Sequence, residues 1–183
     1  MLENINFITS NNDKLREFED ILDFKLKCSS LNIKEIQSLD IVDVAKHKAS
    51  EAYNHINEPV LVEDTGLFVD IWNGFPGVFI KWFYLSVGSD GIWKMLEKFN
   101  NKKASAVTVV CLFDGVNFII GKGEIRGVLT APLGDNGFGW DDIFLPDGSD
   151  RTFAQMSLKQ KKDFSMRRLA LEELLININN NKN

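Results

Sequence analysis

Residues 59 to 70 read PVLVEDTGLFVD, and this stretch limits the possible folds more than any other. Val60 to Val62 form an apolar run of the kind that fills a buried strand. The run ends in two adjacent carboxylates, Glu63 and Asp64, followed by Thr65, Gly66 and a second apolar run. Carboxylates at the C-terminal edge of a strand stand where α/β sheets usually place ligands. The plain alternative is a solvated strand end. Neighbouring residues on a strand point to opposite faces, so Glu63 and Asp64 share one metal only if the strand bends. Gly66 is expected to permit that bend and to split the segment into two strands, PVLVED and LFVDIW.

Period and punctuation extend the map along the chain. INFIT reads as a first strand, and NNDKLREFEDIL as a helix with Leu15, Phe18, Ile21 and Leu22 on one face behind an Asn cap. Residues 41–56 read as a second helix with Val42, Ala45, Ala49, Ala52, Tyr53 and Ile56 as its inner stripe. NGFPG is expected to be a turn or loop and GIWKMLEKF a helix. ASAVTVVCLF and NFIIGKGEIRGVL form a hairpin across DGVN, bent at Gly121, Gly123 and Gly127. SLKQKKDFSMRRLALEELL reads as one final helix, and a polar tail from about residue 177 to 183 is expected to fray. The expected fold is a single mixed α/β domain over residues 1–183, with a partly antiparallel sheet and flanking helices.

Composition excludes several classes. A chain of 183 residues, 44% hydrophobic and 26% charged, suffices for one core and is short for two. The longest apolar stretch, near AVTVVCLF, has strand length, well below the ~18 residues of a membrane helix. MLENINFITS lacks a basic leader, so no signal peptide is expected. Cys28 and Cys111 have no metal-ligand spacing; they read as two free thiols of a reducing cytosol, with one disulfide as the alternative. The net charge of −5 and the lack of a basic run argue against bulk binding to nucleic acid or to a membrane.

Four stretches could carry chemistry. Thr9, Ser10, Asn11, Asn12, Asp13 and Lys14 open the first helix, where free N–H groups and the helix dipole favour a phosphate. Taken alone, this stretch favours a plain capped helix, because such residues are common caps. Glu63 and Asp64 gain weight from a third acid, Glu35 in IKEIQ, expected at the end of another short strand. Oxygen ligands from separate elements suit Mg²⁺. GFGWDD, Gly137 to Asp142, offers either a flat slot for a planar base or a tight turn with core aromatics, and the two readings stand level. Lys48, Lys81, Lys161 and Arg167 are scattered cations; each alone reads as a surface charge. With three acids and a base-sized slot, they describe a metal–triphosphate site.

In this order, the four stretches resemble the inosine triphosphate pyrophosphatase family, over nearly the whole chain from FITSNNDK to MRRLALEELL. The most specific parts are PVLVEDTGL, GFPGVFIKWF, GFGWDDIFLPDG and TFAQMSLKQKKDFSMR. The resemblance implies an elongated α/β sheet with a central cleft between two lobes, and a homodimer. It implies hydrolysis of ITP, dITP and XTP to the monophosphate and pyrophosphate with Mg²⁺. Carried over motif by motif, Thr9 to Lys14 would hold the triphosphate and Lys48, Lys81 and Lys161 would neutralise phosphates. Glu35 and Asp64 would bind Mg²⁺ with Glu63 in support, and Asp64 would be the base for the attacking water. Thr65 would lie beside the substrate. Phe138, Gly139, Trp140 and Asp141 would form the base slot, with Met166 and Arg167 toward the base.

Three positions depart from the family pattern. Ser10 stands where relatives usually carry Gly, Asp142 where a Pro is common, and Met166 where most have His. Met can pack on a ring but cannot donate a strong hydrogen bond. Met166 therefore opens two alternatives: a pyrophosphatase with shifted base selectivity, and a nucleotide-binding relative with lost or altered turnover.

Overall fold

The computed structural model describes residues 2–181. Its strands are β1 (Asn6–Ile8), β2 (Lys27–Ser29), β3 (Val60–Val69), β4 (Pro76–Gly77), β5 (Lys103–Phe113), β6 (Phe118–Leu129) and β7 (Phe144–Pro146). Its helices are α1 (Asn12–Leu22), α2 (Ile41–Ile56), α3 (Ile80–Leu96), α4 (Leu158–Asp163) and α5 (Met166–Asn180). The strands make one sheet in the order β2-β1-β3-β5-β6-β7, with β4 on β3. β1 runs parallel to β2 and β3, whereas β4 is antiparallel to β3 and β7 to β6. The expected mixed, partly antiparallel sheet with flanking helices is therefore observed.

The chain forms two compact units. One takes the residues up to Thr65, Thr108–Gly123 and those from Met166 onward; the other takes Gly66–Val107 and Glu124–Ser165. The first unit buries Phe7, Phe18, Leu61, Val110, Leu171 and Leu174 in one cluster, with the Phe7 and Phe18 rings 4.7 Å apart. In the second, Phe144 packs against Phe153 at 5.1 Å and edge-on against Trp140 at 5.6 Å.

Helix starts follow their caps. Asn11 Oδ1 accepts from the N–H groups of Asp13 (2.9 Å) and Lys14 (3.1 Å), and Asp40 Oδ1 from that of Val42 (2.8 Å). α2 has the expected bounds and buries Ala45, Ala49 and Ala52. Its buried stripe is turned toward Ile41 and Val44, which leaves Val42, Tyr53 and Ile56 part-exposed.

Several expectations need correction. β3 is one unbroken strand through Gly66, not two. Gly66 is required by a close neighbour: a Cβ there would stand 3.1 Å from the carbonyl carbon of Gly77 and run into the Phe68 ring. Pro76–Gly77 of the expected loop pairs with β3 as β4. α3 begins eleven residues before Gly91, at Ile80, and is kinked at Gly88. The final helix is two, because Ser157 caps α4, which ends before Phe164 and Ser165, and α5 starts at Met166. The tail expected to fray from about residue 177 is helical through Asn180, with Ile178 buried and Asn177 Nδ2 donating to the Ile120 carbonyl at 2.8 Å. Lys182 and Asn183 lie outside the described residues. Gly121 and Gly123 face the backbone of α5, where a Cβ would collide with the carbonyls of Ala170 and Met166.

Candidate active site

The continuous extension of β3 sends Glu63 and Asp64 to opposite sides, into different partners. Glu63 is 3% exposed. Its Oε2 lies 2.5 Å from Lys14 Nζ, and its Oε1 lies 3.2 Å from Arg167 Nε and accepts from the Thr65 hydroxyl. Burial alone would raise this carboxyl, but the Lys14 and Arg167 cations outweigh it and hold it down at about 2. Glu63 is therefore a fixed anion that neutralises two cations.

Asp64 has the reverse environment. Burial pushes its carboxyl up to about 6 against the opposing pull of Lys48 and Lys14, with Glu63 and Glu35 adding to the rise. Lys48 Nζ lies 3.9 Å from Asp64 Oδ1 and 3.7 Å from Glu35 Oε1, and donates to the Glu63 carbonyl at 3.1 Å. Glu35 reaches this group from an irregular segment, not from the strand end expected for it. Residues 30 to 37 have no regular structure, so position there follows from contacts and not from period.

Around the start of α1, the Thr9 hydroxyl accepts from the Asn11 N–H at 3.1 Å, and the Asn11 side chain caps the helix. Ser10 and Asn12 are exposed there, and Asp13 is half-buried. Lys14, one turn in, faces Glu63. Arg167 is 2% exposed; its Nη1 donates to Glu17 Oε2 at 2.7 Å and its Nη2 to the Thr65 hydroxyl at 3.3 Å. Met166 is 1% exposed and belongs to the packed interior of its unit. Thr9 to Lys14, Glu35, Lys48, Glu63, Asp64, Thr65 and Arg167 thus all lie in one compact unit.

Two members of this cluster escaped the sequence reading. Glu17 anchors Arg167, and Thr108 on β5 places its hydroxyl 2.9 Å from that of Thr65. Glu17 carried a signal: it precedes Ile21 by one helical turn, on the edge of the apolar face of α1. Thr108 sits in an apolar strand, where a hydroxyl reads as an ordinary β-branched core residue.

The second unit holds the remaining candidates. Asp141 is buried, and its Oδ2 accepts from Lys161 Nζ at 2.7 Å and from the Phe138 N–H at 2.9 Å. Lys161, itself 5% exposed, lies 5.1 Å from the ring centroids of both Phe138 and Phe153. Phe138 is half-buried, whereas Gly139 has φ +63° and open space where a side chain would point. Trp140 is buried against Phe144. One face of the turn is therefore bound into the core while Gly139 leaves the other open. Lys81 is exposed on the first turn of α3, 5.0 Å from the Trp82 ring.

The third strand of a mixed α/β sheet thus delivers two carboxylates into a cluster in which Lys14, Lys48 and Arg167 are paired with Glu17, Glu35, Glu63 and Asp64. The chain belongs to the Ham1 family, whose model matches residues 5–176. It is 40% identical over 176 residues to the inosine triphosphate pyrophosphatase of Yarrowia lipolytica, covering 93% of each chain. It is 36% identical over 170 residues to the dITP/XTP pyrophosphatase of Hyperthermus butylicus, covering 91% of this chain and 90% of that one. Among solved structures, it matches a HAM1 protein from Coxiella burnetii with TM-score 0.77 and 26% identity, covering 93% of this chain and 96% of that one. A dITP/XTP pyrophosphatase from Mycobacterium abscessus matches with TM-score 0.72 and 28% identity, covering 93% and 98% of the two chains. The resemblance drawn from the motifs is borne out.

Proposed function

We propose that this chain hydrolyses deaminated purine nucleoside triphosphates, ITP, dITP and XTP, to the monophosphate and pyrophosphate, clearing them from the nucleotide pool. The observation that carries this reading is the split between neighbours on β3. Glu63 is paired on both oxygens with Lys14 and Arg167, while Asp64 faces Lys48 beside Glu35 with its carboxyl raised to about 6 by burial. A carboxylate that meets its cation only at 3.9 Å, set beside the phosphate-binding helix start, is suited to take a proton from water.

The donor set fits Mg²⁺. Glu35 and Asp64, from separate segments, already face one cation, the Lys48 ammonium. Mg²⁺ is usually held by one or two carboxylates and completes its shell with waters and substrate phosphates. Among the described residues no group of three or more Asp, Glu, His or Cys side chains is placed to hold a metal ion, so Glu35 and Asp64 would hold Mg²⁺ only as a pair. Glu63 fits less well as a ligand, because both its oxygens are engaged by cations and the Thr65 hydroxyl. When bound, Mg²⁺ withdraws charge from phosphoryl oxygens and acidifies nearby water.

The chain's own residues supply the rest. Asp64 accepts the proton of the water that attacks the α-phosphorus. The α1 N-terminus with Lys14 and Lys48 binds the phosphates and Lys81 adds charge for the leaving pyrophosphate, whereas Lys161, expected from the sequence to neutralise phosphates, is buried on Asp141 at the turn that receives the base. Phe138 and Gly139 receive the base on the open face of the turn, with Trp140 and Asp141 holding that turn from the core side; Met166 and Arg167, 1% and 2% exposed, act on it from within the packed start of α5. Thr65 orients Glu63.

The resemblance further implies a homodimer, and the cysteine pattern a place in the cytoplasm. Exposed Trp82 and Leu85, 58% and 66% exposed on α3, support an apolar partner face, and the free thiols Cys28 and Cys111 fit a reducing compartment. Among the described residues no helix is long and apolar enough to cross a membrane.

The test is a phosphate-release assay with and without an added inorganic pyrophosphatase, across ITP, XTP, dITP, GTP, ATP and UTP, with Mg²⁺ or EDTA. Preference for the deaminated purines, dependence on the auxiliary enzyme and loss in EDTA are expected. Equal turnover of all six nucleotides would overturn the substrate assignment.

A further inference from the structure

The turn at Phe138–Asp142 is tied down from two sides. On one side Asp141 holds Lys161 of α4 and the Phe138 N–H. On the other, the Ser89 hydroxyl of α3 donates to Asp142 Oδ1 at 2.6 Å. Ser89 is only 9% exposed, although Val87 and Asp90 beside it are exposed. The backbone explains this difference. Gly88 interrupts α3 with φ 64° and ψ 178°, a region open essentially to glycine alone. No atom lies within 4 Å of where a Gly88 side chain would begin, so glycine is required there by conformation and not by crowding. The kink turns the next residue inward, onto Asp142.

We infer that Asp142 is a positioning residue which, held by Ser89 at the Gly88 kink, locks the Phe138–Asp142 turn and thereby sets affinity for the nucleobase without touching the phosphate chemistry. The inference rests on the reading that this turn receives the base. Physically, a turn already fixed before binding spares the ligand the ordering of its residues. The Asp142 carbonyl reinforces the lock by accepting from the Leu133 N–H at 2.9 Å. Loss of the Ser89 bond frees the carboxylate side while the Asp141–Lys161 side holds.

The experiment compares wild type with Asp142→Ala, Ser89→Ala, their double variant and Asp142→Asn. Asp142→Ala and Ser89→Ala should each raise KM for ITP about tenfold, the scale of one hydrogen bond to a charged group, with kcat changed far less. The double variant should be no worse than either single one, because both remove the same bond. Asp142→Asn keeps an accepting oxygen and should recover most of the affinity. Inhibition by inorganic tripolyphosphate, which has no base, should be the same in all variants. A KM for ITP that does not move, or one that rises together with the tripolyphosphate inhibition constant, would overturn the inference. If wild type turns over no ITP, the functional reading fails by itself. Amide hydrogen exchange at residues 137–142 then decides the lock: faster exchange in Asp142→Ala sustains it, and unchanged exchange removes it.

Discussion

Lys14 Nζ lies 2.5 Å from Oε2 of Glu63, a carboxylate whose side chain is 1% exposed. This contact, with Arg167 on the other oxygen, makes Glu63 the anchored one of the two acids of β3 and leaves Asp64 as the base in the proposed reaction. Removing the anchor's charge leaves Lys14 and Arg167 without it. Breaking a buried pair from one side typically costs about 3–5 kcal/mol. Glu63→Gln should therefore lower stability by about that amount in urea denaturation, and a loss under about 1 kcal/mol would contradict the role.

Asp64→Asn should behave in the opposite way. It should abolish turnover while the metal-free protein is at least as stable at pH 7, because a carboxyl raised to about 6 is destabilising once ionised. Thermal unfolding in EDTA beside the activity assay checks both halves. Near-normal turnover in a folded variant would sink the assignment.

The pH dependence follows with a definite sign. In the fold Asp64 keeps its proton to about pH 6, against an ordinary value of 3.8. Between these values the native state binds more protons than the unfolded one, so Asp64's contribution falls as pH rises from about 4 to about 6. Glu63 acts oppositely: its folded value of about 2 lies below 4.5, so its stabilisation is complete above about pH 4.5 and is lost as pH falls toward 2. Urea denaturation in EDTA across this range should show that Asp64→Asn removes a decline of about 2–3 kcal/mol between pH 4 and 6. An identical decline in wild type and variant would contradict the shift.

Gly123→Ala should destabilise the protein by about 1–3 kcal/mol, because the new Cβ would collide with the Met166 carbonyl at the start of α5. The urea midpoint measures it. No change would mean that α5 can move away from β6.

Glu35→Gln should shift the Mg²⁺ titration of activity to higher concentration, by roughly tenfold or more. The fold should be untouched, because Glu35 lies on an irregular, exposed segment. An unchanged titration removes Glu35 from the metal pair.

Where local chemistry decided the structure, the sequence was readable. The Asn cap of α1 and the alanine stripe of α2 located two helices, and the apolar run before Glu63 located β3. The break between α4 and α5 was hidden, because Phe164 and Ser165 interrupt no period strongly enough to announce it. Gly66 looked like a bend because a glycine's need for space depends on a neighbour, Gly77, that sequence does not place. In the site, residue types were legible but pairings were not. Glu63 and Asp64 were equal as letters, and only Lys14, Arg167 and Lys48 made them different. The inward turn of Ser89 onto Asp142 was invisible for the same reason.

The central claim is that water attacks the α-phosphorus with Asp64 as its base. Product analysis of the ITP reaction by phosphorus NMR in water enriched in heavy oxygen tests it most directly, in wild type and Asp64→Asn with Mg²⁺. The account predicts equal amounts of IMP and pyrophosphate from wild type, with the heavy oxygen in IMP and none in pyrophosphate, no orthophosphate, and no products from the variant. IDP with orthophosphate, or IMP formed at an undiminished rate by Asp64→Asn, would contradict it.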